Sequence, residues 1–260
     1  KTIALTNRPF LMKTTQRHTI ATLYRKIVSA HSNLFAYDER KELKNIFIKF
    51  SNQVSPKEQN IEKHISTKIK ITEILLSEIG LGKAAVLSIL LHEMVEKKLL
   101  SVEDIEKTFN TQISSIMQGM IRVQELYARN SSLETENFRK LFLTFAQDIR
   151  VILIIIAEHL QTMRELDTSS EENRQSTARE SSFLYAPLAH RMGLYAIKTE
   201  LEDLSLKYTN REIYREIATK INETKSSRDQ FISGFITPLK EKIEGLGFTF
   251  EIKGRTKSIN

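Results

Sequence analysis

Glycine and proline together account for only 12 of the 260 residues, and this scarcity constrains the fold more than any other feature of the chain. Left-handed backbone and tight turns depend chiefly on glycine, and proline marks turns and strand edges. A chain with so few of either has few sharp reversals, which speaks for long helices joined by few connections. With 40% hydrophobic and 27% charged residues it has the makings of a core. At this length about 70% of the unfolded surface can be buried without covalent staples. Cysteine is absent, which rules out disulfides, thiolate zinc sites, iron–sulfur clusters and cysteine nucleophiles. Any metal must rest on His, Asp or Glu.

Periodicity agrees with a helical reading. Leu194, Ile197, Leu201, Leu204 and Tyr208 are spaced 3, 4, 3, 4 with charges between them, one apolar helical face. A second seam runs Ile217, Ile221, Ile232, Phe235 or Ile236, Leu239 and Ile243, with a polar stretch across its middle and Pro238 near its end. It reads as one long bent helix or two shorter ones. Residues 84–95 are apolar nearly all round, as expected of a helix buried between others. Residues 138–163 read the same way, although the β-branched centre at 151–157 would also suit a central strand; its helix-forming flanks favour a helix. Loops are expected at 52–59, 130–135 and 167–181, the last rich in Ser, Thr, Glu and Arg and the best candidate for a flexible segment. Near the end, Gly245-Leu-Gly247 followed by Phe248-Thr-Phe-Glu-Ile252 switches from helical to alternating period, a helix stop and then a strand.

The net charge of +7 suggests polyanionic partners, but its placement matters more. Residues 1–70 hold 14 Lys and Arg against 5 Asp and Glu, leaving 25 against 27 for the remainder. Those 14 cations are scattered singly without aromatic interleaving, so a solvated face is favoured over a nucleic-acid interface. The longest apolar run, 151–157, is bracketed by Arg150 and Glu158 and is far too short to cross a bilayer. No cleavable leader pattern is read in residues 1–10. A cytoplasmic protein without a membrane partner is expected.

Two polar interruptions stand out. His92-Glu93, with Glu96 one turn further, lies on the all-apolar helix, and Glu158-His159 directly follows the second apolar run. Burying such groups is costly unless something compensates. Two helices packed together would bring His92, Glu93 and Glu158 near each other, three donors suited to a hard divalent cation. Equally, each pair could mark where its helix emerges into solvent, and on composition alone that reading is preferred.

Five strings carry a resemblance. They are Glu136-Asn-Phe-Arg-Lys140, Asp148-Ile-Arg-Val-Ile-Leu153, Ala157-Glu-His-Leu-Gln-Thr-Met-Arg-Glu-Leu166, Tyr185-Ala-Pro-Leu-Ala-His-Arg-Met-Gly193 and Lys198-Thr-Glu-Leu-Glu-Asp-Leu204. In order and spacing the chain resembles, from about residue 64 onward, the RelA/SpoT family of guanosine tetra- and pentaphosphate synthetase/hydrolases. The resemblance implies a mainly all-α chain. An HD-type helical hydrolase domain would occupy 1–182 and a helical linker 183–244, with the first strand of an α+β nucleotidyltransferase-like synthetase over 245–260. Its implied partners are guanine nucleotides and ATP, and its implied metals are manganese for an active hydrolase and magnesium with ATP for the synthetase.

At the chemical positions the resemblance breaks down. The family's first metal-binding His should fall near Thr67 or Lys68, with His64 about one turn away; its His-Asp pair appears as His92-Glu93; and its catalytic Glu-Asp pair appears as Glu96-Lys97, an ammonium where a carboxylate should stand. The last metal Asp aligns with Glu158, and the guanosine-binding positions become Thr162 and Glu165. Ser55-Pro-Lys-Glu-Gln-Asn60 replaces a basic nucleotide motif. The expectation is therefore a degenerate, metal-free hydrolase domain. The alternatives are an active hydrolase using His64, His92, Glu93 and Glu158, and a basic interaction module in the first 70 residues. At the far end, Lys253-Gly-Arg-Thr-Lys-Ser258 is similar to the segment that opens the family's synthetase, which implies that Arg255, Lys257 and Ser258 face the phosphates of ATP.

Overall fold

The computed structural model describes residues 33–53, 61–129, 148–223, 225–245 and 250. Among them every regular element is helical. They form two compact units divided between Gln161 and Thr162.

The first unit contains α1 (Tyr37–Gln53), α2 (Ile61–Glu73), α3 (Lys83–Glu96), α4 (Val102–Thr108), α5 (Thr111–Arg129) and most of α6 (Ile149–Arg164). A π-helical turn over Ile74–Ile79 extends α2 and ends at Gly80, whose φ of 82° is left-handed. Few residues other than glycine take that conformation without cost, so one of the chain's rare glycines is spent on a reversal. The next helix, α3, buries nine of its fourteen residues, His92 among them, as the all-round apolar pattern requires. It packs on α2 and α5. Ser101 opens α4 with a reciprocal capping box to Asp104, satisfying two backbone donors that a helix start otherwise leaves open. Where α5 meets α6, a Cβ on Gly119 would lie 2.6 Å from Val151 Cγ2, so only hydrogen fits there and the two helices approach closely.

Residues 151–157, readable as a strand, are the buried centre of α6. Their continuity with helical flanks outweighs the β-branched composition because burial inside a bundle suits Ile and Val equally well.

The second unit holds the last residues of α6, a 3₁₀ turn (Leu166–Thr168), α7 (Glu171–Glu180), a π-helical turn (Ser181–Tyr185), α8 (Ala186–Arg191), α9 (Tyr195–Thr209), α10 (Arg211–Glu223) and α11 (Lys225–Glu244). The loop expected over 167–181 is a correction: the segment is helical. Ser170 caps α7 by accepting from the Asn173 N–H, with Glu171 and Glu172 in the first turn and Arg179 in the last, charges placed to suit the helix dipole. Its polar composition reflects solvation, since within α7 only Ala178 is buried.

Around α9 pack α7, the π turn and α8, with Leu184, Leu188, Ile197 and Leu201 fully or nearly fully buried. The Arg164 guanidinium forks onto the Glu200 carboxylate at 2.6 and 2.7 Å, and Lys207 Nζ lies 2.9 Å from Asp167. The C-terminal seam resolves into two helices, α10 and α11, with Pro238 inside the latter. The strand expected from Phe248 lies almost wholly outside the described residues.

Candidate functional site

The polar interruptions noted in the sequence converge within the first unit. From α2 comes Lys68, from α3 His92, Glu93 and Glu96 with Lys97 at its C-cap, from α5 Gln124, and from α6 Glu158. Of these His92 alone is fully buried; Lys68, Glu93, Lys97 and Glu158 are half-buried, and Glu96 and Gln124 lie at the exposed rim.

Two contacts set the character of this cluster. Lys68 Nζ donates to Glu158 Oε1 at 2.8 Å, joining residues 90 positions apart. Lys97 Nζ stands 3.3 Å from Glu93 Oε1 across one helical turn. Beside them His92 Nδ1 lies 3.7 Å from Glu96 Oε2, and Gln124 Nε2 donates to Glu96 Oε1 at 2.6 Å. His92 is 3% exposed and its Nε2 is buried without a hydrogen-bond partner. Burial pulls the His92 imidazole below its ordinary range; the Lys68 charge adds to that, while Glu158, Glu96 and a hydrogen bond with Gln124 oppose it. A buried imidazole without strong compensation is held neutral. Its neighbour in type, His159 on α6, is also buried, and desolvation pushes it down to about 3.

Several expected positions come together and others do not. His92, Glu96 and Glu158 share one electrostatic neighbourhood. Glu93 engages Lys97 of its own helix. Thr162 and Glu165 belong to the second unit, Thr162 exposed and Glu165 half-buried. His64 lies on α2, but its side chain is outside the described residues, as are the segment 55–60 and Arg255, Lys257 and Ser258. Sequence reasoning missed Gln124 altogether. It flagged Lys68 as the place where a ligand is absent, without foreseeing that its ammonium reaches Glu158.

Among the described residues no three His, Asp or Glu side chains are grouped to hold a metal ion. The donor set itself argues against one. A divalent cation is held by carboxylates and imidazoles free to turn their lone pairs on it. Here Glu158 faces the Lys68 ammonium and Glu93 the Lys97 ammonium, so a 2+ ion taking either carboxylate would meet a positive charge already beside it. Among the described residues of the cluster, the feature that suits a metal is the orphaned His92 Nε2.

Residues 47–195 match the family described as HD domain. The chain is 34% identical over 189 residues to a protein of Myxococcus xanthus named GTP pyrophosphokinase, a match covering 71% of this chain and 25% of that protein. It is 35% identical over 187 residues to a probable guanosine-3′,5′-bis(diphosphate) 3′-pyrophosphohydrolase of Synechocystis, covering 71% and 25% respectively. To the bifunctional (p)ppGpp synthase/hydrolase SpoT of Escherichia coli it is 32% identical over 188 residues, covering 71% and 26%. The chain thus spans about a quarter of the length of these relatives.

Proposed function

This chain belongs to the RelA/SpoT family through its HD domain, and from that premise we propose that the domain is a hydrolase-like module of (p)ppGpp metabolism that does not hydrolyse. Its role would be regulatory, exerted through the helices after residue 183 on a synthetase beginning near residue 245. That synthetase would transfer pyrophosphate from ATP to the 3′-hydroxyl of GTP or GDP, with Arg255, Lys257 and Ser258 on the ATP side.

The observation that carries this reading is the pair of ammoniums on the site's carboxylates, Lys68 on Glu158 and Lys97 on Glu93. In a metal-dependent phosphohydrolase the ion lowers the pKa of water into the physiological range and offsets charge on the phosphate oxygens. An ammonium offers charge without an open coordination position, so it cannot generate hydroxide. Lys97 also replaces a carboxylate at the position where a base or water-orienting group is expected, removing the proton acceptor. The buried His92 Nε2 without a partner favours the rival, an active hydrolase with an altered ligand set.

One assay separates the two readings. Purified chain incubated with guanosine tetraphosphate and Mn²⁺ is expected to release no pyrophosphate, while the Aquifex aeolicus relative named as a 3′-pyrophosphohydrolase releases it under the same conditions. Release by this chain, abolished by His92→Ala, would establish the rival.

A further inference from the structure

The Lys68–Glu158 pair joins two helices, α2 and α6, at a part-buried point in the cluster. Resting on the non-hydrolytic reading above, we infer that the Lys68 ammonium stands in for a divalent cation as the permanent positive charge of this centre.

Three observations support a stand-in over an incidental surface pair. Both side chains are largely withdrawn from solvent, at 21% and 29% exposure. The partners lie 90 residues apart in sequence, on two different helices, as ligands to a shared ion do. Lastly, Glu158 and Lys68 both act on His92, so the pair sits within reach of the cluster's imidazole. Cation, carboxylate and imidazole, the chemical parts of a metal centre, are therefore gathered with the cation covalently tethered to α2. A tethered cation cannot be chelated or lost, and the domain holds its fold at any metal concentration.

The test is thermal melting of the full 260-residue chain by circular dichroism, in EDTA and in millimolar Mn²⁺. The parent is expected to melt at the same temperature in both. In EDTA, Lys68→Met is expected to melt about 2–4 °C lower, the shift that corresponds to roughly 1 kcal/mol in a chain of this size class. Lys68→Arg, which keeps the cation, is expected to stay with the parent. Mn²⁺ is expected to raise Lys68→Met back toward the parent, because the ion takes the vacated position beside Glu158, in the electrostatic neighbourhood of His92, and to leave Lys68→Met/Glu158→Gln unmoved. A Lys68→Met variant that melts with the parent, or that Mn²⁺ does not raise, overturns the inference and reduces Lys68 to an ordinary ion pair, while the pyrophosphate assay stands. Stabilisation of the parent itself by Mn²⁺ overturns both.

Discussion

Lowering the pH from 7 to 5 is expected to cost the first unit about 2 kcal/mol through His159 alone. An unfolded histidine titrates near 6.5, whereas burial holds folded His159 down to about 3. Between those values the unfolded chain binds a proton that the folded chain refuses, so stability is complete above pH 6.5 and declines as pH falls toward 3. The same direction applies to His92, whose folded pKa is also lowered. Glu180 works the other way: burial raises it to about 7 against a hydrogen bond from Tyr185. Its contribution is therefore complete below about 4.5 and is lost as pH rises through 7, and partial exposure screens it. Urea unfolding of the parent and of His159→Leu at pH 7 and pH 5 isolates the His159 effect, because the Glu180 contribution cancels between the two proteins. The loss on acidification should be smaller in the variant by about 2 kcal/mol. Equal losses would mean that the imidazole is solvated and that α6 is not packed as described.

Leu91→Ala is expected to destabilise the first unit by about 2–5 kcal/mol, the range for emptying a closed core position. Leu91 has no exposure and precedes His92 on α3, a helix enclosed by α2 and α5, so its surroundings cannot collapse to fill the space. Leu239→Ala on α11, where the side chain is 42% exposed, should cost well under about 1 kcal/mol. Denaturant midpoints of the two variants make the comparison, and similar midpoints would contradict the burial of α3.

Why some elements were readable in advance follows from what each helix is stabilised by. α3 announces itself because burial demands unbroken apolar residues, whereas the β-branched centre of α6 also suits a strand and only its helix-forming flanks decide for a helix. The seam of α9 is legible for the same reason, with Ile197, Leu201 and Tyr208 buried as their spacing requires. α7 was not legible, since its stability comes from the Ser170 cap and charges matched to the helix dipole, and these residues read equally well as a loop. At the site, the residue types at 92, 93, 96, 97 and 158 suggested a broken metal centre. The way it is compensated was hidden, because a pair spanning 90 residues follows from how α2 and α6 pack and leaves no trace in local spacing. Gln124 was hidden likewise: on α5 it is one polar residue among several, and only the approach of α3 gives it Glu96 as a partner.

In the proposed centre Glu158 and Glu93 are held by Lys68 and Lys97 and not by a metal. Equilibrium dialysis of the purified chain against Mn²⁺, followed by elemental analysis of metal per chain, tests it most directly. No stoichiometric manganese is expected in the parent. One ion per chain, lost on Glu158→Gln or His92→Ala, would contradict it.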